Sequence, residues 1–121
     1  MTNGSPPDVV FEGDSLKVIR GFPKDVREDI GGDLRRVQNG EEPLDSGSLT
    51  NVLPKVFYLR DKDEDSWYRV PFIRLDGVVY VLDCFKKKTD EIAQKDINTA
   101  RQRLTALKLR LAAQKKQAKR K

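Results

Sequence analysis

Lys86, Lys87 and Lys88 stand in a row near the end of the string YVLDCFKKKT, directly after the apolar run Val78–Leu82. Three ammonium groups this close form an anion site. Each also disfavours the charge on its neighbours, which draws a lysine pKa down from about 10.4 toward the range useful for acid–base chemistry. Arg60, Tyr68 and Arg69 lie on the two preceding apolar stretches and add fixed positive charge and a phenol. Asp83, with an ordinary pKa near ~3.9, is a weak base at neutral pH and is better suited to orienting a lysine or arginine. Plainer readings stand beside these: solvated lysines closing a strand, arginines paired with the acidic run Asp61–Asp65, and a tyrosine that packs. The chain has no histidine and a single cysteine, Cys84. Histidine catalysis, an internal disulfide and a Cys/His zinc site are therefore excluded, and neither metal nor cofactor is expected.

Something must hold these groups in register. Residues 1–7 read as a loose leader, followed by the short apolar run Asp8–Phe11, an edge strand. Asp14 and Ser15 are cap candidates for a short helix carrying Leu16, Val18 and Ile19. Pro23 sits where a first helical residue is tolerated, and Val26, Ile30, Leu34 and Val37 step along one helix face that ends near Asn39-Gly40. Gly31-Gly32 weakens the middle of that helix by about 1 kcal/mol per glycine relative to Ala, which implies close packing of another element there.

Residues 40–54 are loop-rich, and three strands follow over Val56–Arg60, Trp67–Arg74 and Val78–Phe85. The acidic run Asp61–Asp65 makes the first connection and the hairpin signal Asp76-Gly77 the second, giving an antiparallel meander. The last strand, apolar on both faces, takes a central covered position. A two-residue turn at Asp76-Gly77 pairs residues whose numbers sum to 153, so Arg69 faces Cys84 and lies diagonal to Lys86. A longer loop would shift the register and bring Asp83 or Lys87 to that face instead. Ile97, Ala100, Leu104, Leu107 and Leu111 form the apolar stripe of a closing helix, short for a coiled-coil seam and suited to packing on the sheet. The fold class is α+β: a small antiparallel sheet with N-terminal helices packed on it and a C-terminal helix, in one domain over residues 8–112. Residues 113–121 read as a frayed basic tail.

Charge is divided along the chain. Residues 86–121 hold 13 Lys/Arg against 3 Asp/Glu, a net of +10, whereas residues 1–85 hold 11 against 16, a net of −5. The C-terminal third is thus the end that seeks a polyanion. No apolar run approaches the ~20 residues a membrane span needs, and the start MTNGSPPD lacks the regions of a signal peptide, so a cytoplasmic protein with no membrane partner is expected.

The chain carries, in order, GDSL (Gly13–Leu16), FPKDVREDIG (Phe22–Gly31), VQNGEEP (Val37–Pro43), FYLR (Phe57–Arg60), YRVPF (Tyr68–Phe72), VYVLDCFKKKT (Val79–Thr89) and DINTARQRL (Asp96–Leu104). In these strings it resembles the HigB-like toxins of the RelE superfamily, in particular the phage-derived group. The resemblance implies a RelE-like, microbial ribonuclease-type fold that binds mRNA and ribosomal RNA at the ribosomal A site and cleaves the message there. It also implies a helix-turn-helix, HigA-like antitoxin as partner. Arg60, Tyr68, Arg69, Phe85, Lys87, Lys88 and Thr89 match the family pattern, and Lys86 takes a position often filled by Gln. Two positions depart from it: family members usually carry Glu and His where this chain has Tyr58 and Asp83.

Metal-independent RNA cleavage needs a base for the 2′-hydroxyl, an acid for the leaving 5′-oxygen and cations for the phosphorane. In this chain the catalytic candidates are Arg69, Lys86, Lys87, Arg60, Tyr68 and Lys88. The RNA-binding candidates are Lys86, Lys87, Lys88, Arg101, Lys115 and Lys116. A noncatalytic RNA- or ribosome-binding relative is the principal rival reading, and a small basic DNA-binding module a weaker one, since no helix-turn-helix pattern is present.

Overall fold

The computed structural model describes residues 8–119, so the leader expected over residues 1–7 lies outside the described residues. The elements run β1 (Val9–Phe11), α1 (Ser15–Arg20), α2 (Lys24–Gln38), β2 (Ser46–Ser48), β3 (Val56–Lys62), β4 (Trp67–Leu75), β5 (Val78–Val81), β6 (Phe85–Lys87) and α3 (Gln94–Lys119). Among the described residues the strands form one sheet in the order β1-β5-β4-β3-β2, with β6 also on β4. The expected antiparallel meander is present as β3-β4-β5. The sheet as a whole is mixed, because β1 pairs with β5 in parallel.

Alternation of side chains along the strands divides the core between two faces. Leu59, Tyr68, Val70, Phe72, Val79 and Val81 lie under α1 and α2, against Ile19, Phe22, Val26, Ile30, Leu34 and Val37. Val56, Ile73, Tyr80 and Leu82 lie on the opposite face against Ala100, Leu104 and Leu107 of α3. β5 is therefore covered on both faces and flanked on both edges, which is why its sequence is apolar throughout. At the β4–β5 turn Asp76 and Gly77 both have positive φ, 52° and 81°, as a two-residue hairpin of matching twist requires.

Four expectations need correction. Residues 46–48, read as loop, form β2, which pairs Gly47 with Tyr58; a Cβ on Gly47 would sit 2.3 Å from the Tyr58 ring, so only glycine lets the ring lie across the strand. Gly31 has no close neighbour: a Cβ there meets nothing within 4 Å, and at Gly32 it meets only the Arg36 side chain of the same helix at 3.4 Å. Among the described residues, the basic segment after residue 112 is not frayed but continues α3 to Lys119. Finally, the strand expected over Val78–Phe85 is broken. Phe72 to Leu75 pair with Val81 to Val78 in the register summing to 153, but Arg69 pairs with Phe85 rather than Cys84, and Tyr68 with Lys86, one residue out of step. The Leu82 amide still donates to the Pro71 carbonyl (2.8 Å), leaving Asp83 and Cys84 opposite the single residue Val70. This is a β-bulge, and it exchanges the faces of everything after it.

Candidate functional site

The bulge decides which cations share a face. Phe85 and Lys87 fall on the side of Arg69, toward α3, and Lys86 falls on the side of Tyr68, toward α2. The pleat thus separates the lysines that the sequence suggests should crowd one another. The Lys86 Nζ lies 5.9 Å from the centre of the Tyr68 ring, and the Lys87 Nζ 5.8 Å from that of Phe85. Lys88 lies just beyond β6 and is exposed.

On the α3 side, adjacent strands bring Arg60, Trp67, Arg69 and Tyr58 together. Arg60 is the cross-strand partner of Arg69, and the Trp67 ring has three cations around it: Lys62 at 4.7 Å, Arg69 at 5.5 Å and Arg60 at 5.9 Å. The Arg69 guanidinium also lies 5.6 Å from the Tyr58 ring. An aromatic face attracts a cation through its ring quadrupole and supplies no negative charge of its own. Trp67, which from sequence is as readily a packing residue as a stacking one, is therefore the centre of this cluster, half-buried and rimmed with positive charge.

Each principal cation of this face also has a carboxylate partner. The Arg60 Nη2 is 2.9 Å from Asp45, which with its hydrogen bond raises the guanidinium pKa above the usual value. Lys87 is 2.8 Å from Asp96 in the first turn of α3. Arg69, only 1% exposed, donates through Nη2 to the Asp90 carbonyl (2.8 Å) and to the Asp90 carboxylate, while its Nε and Nη1 have no partner among the described residues. The acidic run Asp61–Asp65 therefore pairs with neither arginine. No local spacing in the sequence pairs Asp45, Asp90 or Asp96 with its cation, because they come from loops and a helix start.

The other candidates lie apart from this cluster. Tyr68 is buried, its ring 4.8 Å from that of Phe22 and its hydroxyl donating to Asp63 at 2.8 Å, and burial and this bond raise its pKa. Asp63 in turn accepts from the amides of Asp65 and Ser66, so Tyr68 helps to shape the β3–β4 connection. Arg101 is exposed on α3 and bonds Asn98 at 3.0 Å. Lys115 and Lys116 are exposed far from β6: Lys115 lies 4.0 Å from Asp76 at the β4–β5 turn. Six residues of β4 separate that turn from Arg69, about 20 Å.

Asp83 is buried, and burial is the main reason its pKa is raised; it accepts from the Cys84 amide at 2.9 Å and pairs at 3.2 Å with Arg103 of α3. It does orient an arginine, but one not marked out by sequence reasoning. Cys84 packs in the core as expected, its thiol pushed up to about 12 chiefly by burial.

The family described as phage-derived protein Gp49-like (DUF891) matches residues 17–105. No curated protein matches. Among solved structures, a double arginine-to-alanine mutant of the E. coli toxin RelE in the free state is similar with a TM-score of 0.58 and 21% identity, over 82% of this chain and 98% of that one. The isolated E. coli RelE toxin gives 0.53 and 21%, over 78% and 97%. The intact E. coli RelBE toxin–antitoxin complex gives 0.50 and 21%, over 72% and 100%. This likeness is one of fold, and the match over residues 17–105 makes the chain a member of the phage-derived Gp49-like family, built on the RelE fold.

Proposed function

We propose that this protein is the toxin of a type II toxin–antitoxin pair, an endoribonuclease that cuts mRNA in the ribosomal A site. The observation that carries this reading is Arg69, a buried guanidinium with two nitrogens unpartnered among the described residues, set between Trp67 and Tyr58 and on one face with Arg60 and Lys87. A cation preorganised in a dry setting stabilises charge that develops on a phosphorane far better than a solvated one. The 2′-hydroxyl gives its proton to solvent water as its oxygen attacks the scissile phosphorus, and the 5′-oxygen leaves. Arg69 takes the developing negative charge, Arg60 holds the neighbouring phosphate, and Lys87, oriented by Asp96, gives its proton to the leaving oxygen. Trp67 stacks on a splayed base. Lys86, Lys88, Arg101, Lys115 and Lys116 contribute contacts to ribosomal RNA, and Tyr68 serves the fold. A helix-turn-helix antitoxin neutralises the protein in the cytoplasm.

A second reading rests on the same residues. The cations are capped by Asp45, Asp90 and Asp96, and Tyr58 and Asp83 replace the usual Glu and His, which suits a protein that binds ribosomes without cutting. Induction without antitoxin separates the two. Cleavage predicts growth arrest and new 5′ ends by primer extension that vanish when an inhibitor empties the A site. Arrest without new ends selects the binding reading, and cuts indifferent to the inhibitor contradict ribosome dependence.

A further inference from the structure

Arg103 reaches from α3 to the bulge with one end of its guanidinium and to the start of α1 with the other. Its Nη1 donates to the Leu82 carbonyl at 3.0 Å and lies 3.2 Å from the Asp83 carboxylate, while its Nη2 lies 2.9 Å from Asp14 at the start of α1. Gly13, at φ +56°, lets the chain pass beneath: a Cβ there would lie 2.6 Å from the guanidinium carbon. One side chain thus ties together the helix on one face, the loop after β1 and the bulge at Leu82 and Asp83.

We propose that Arg103 is a positioning residue for the site: by pinning the bulge at Asp83 it sets the pleat of β6 so that Lys87, and not Lys86, shares a face with Arg69. Without the bulge the register summing to 153 would run on through β6. Cys84 would then oppose Arg69, and Lys86 would turn to the α3 face while Phe85 and Lys87 turned toward α2. The bulge is an unstable place by itself, since its extra residue leaves the ladder, and the Leu82 carbonyl and the Asp83 carboxylate both need a donor there. Arg103 supplies both. The functional weight of the inference rests on the reading of Arg69 and Lys87 as partners on one phosphate, but the register itself is measurable without RNA.

Disulfide trapping reads it directly. Trp67→Cys is combined with either Lys87→Cys or Lys86→Cys, and the cross-links are mapped by mass spectrometry so that adducts of Cys84 are separated. With Arg103 present, the 67–87 link should exceed the 67–86 link at least tenfold. In Arg103→Ala the preference should move toward 67–86. Deleting Asp83 in the Arg103→Ala background removes the extra residue, so the plain ladder again sets residue 87 opposite residue 67, and the 67–87 preference should return. A loss of packing alone would not be rescued by removing a further residue. An unchanged preference in Arg103→Ala overturns the proposal. If Arg103→Ala does not fold, the deletion variant decides: folding with the 67–87 link upholds the proposal and failure to fold overturns it. Cleavage assays on the same backgrounds test the underlying reading separately. There, Lys87→Gln should be the damaging change with Arg103 present and Lys86→Gln the damaging one in Arg103→Ala; absence of all cleavage would sink the nuclease reading while leaving the register result standing.

Discussion

Arg69 and Asp90 meet twice: one guanidinium nitrogen donates both to the Asp90 backbone carbonyl and to its carboxylate, so the most buried cation of the site is capped by a side chain that is itself 62% exposed. Arg69 is 1% exposed and its charge is already paired with Asp90, so a phosphate at Arg69 competes with that carboxylate.

Asp90→Asn should therefore tighten binding of a short single-stranded RNA by about tenfold at low salt, equivalent to ~1.4 kcal/mol. The substitution keeps the backbone contact and removes the competing charge. Trp67, the one tryptophan of the chain, lies beside Arg69 and reports the binding through its own fluorescence. Unchanged or weaker binding would mean that Asp90 does not occupy the anion position.

Asp61 makes stability depend on pH in an unusual direction. Burial, opposed by the Lys62 amide and assisted by the neighbouring Asp29, raises its carboxyl from 3.8 to about 6. A carboxyl with a raised folded pKa binds its proton more tightly in the folded chain. Its contribution to stability is thus greatest at low pH and declines as pH rises from about 4 to about 6. Asp61→Asn should abolish that decline and raise the Tm at pH 7, as read by thermal melts across this range. A variant that melts lower than the parent at pH 7 would contradict the assignment.

Gly31 carries a helix-propensity cost with no packing benefit, since a Cβ there meets nothing within 4 Å. Gly31→Ala should stabilise the protein by about 1 kcal/mol and raise its Tm by roughly 4 °C. A fall in Tm would show that the exposed face of α2 tolerates no side chain there.

Much of the scaffold was legible in the sequence because it rests on local periodicity. The stripe Val26, Ile30, Leu34 and Val37 is buried as its spacing implies, and Asp76-Gly77 makes the tight turn its residue types favour. β2 was not legible, because Ser46-Gly47-Ser48 offers no apolar alternation and is a strand only through its partner β3. The parallel pairing of β1 with β5 joins segments about 70 residues apart, beyond what a local pattern can encode. At the site, residue types identified Arg69 and the lysines as cations, but which lysine faces Arg69 depends on a bulge stabilised by Arg103 from α3. The capping carboxylates were hidden for the same reason: acidic residues are common in loops, and only the folded chain sets Asp45, Asp90 and Asp96 against their cations.

The central claim, that the α3 face around Arg69 is a nuclease site, is tested most directly by single-turnover cleavage of mRNA on saturating programmed ribosomes, comparing wild type, Arg69→Ala and Lys115→Gln/Lys116→Gln. Because Arg69 acts on charge that develops in the transition state, its loss should lower the cleavage rate about 10²–10³-fold while affecting ribosome affinity much less. Lys115 and Lys116, about 20 Å from Arg69 along the sheet, should affect affinity and its salt dependence and leave the saturated rate unchanged. A saturated rate that survives Arg69→Ala, or that falls with the lysine pair, would contradict the account.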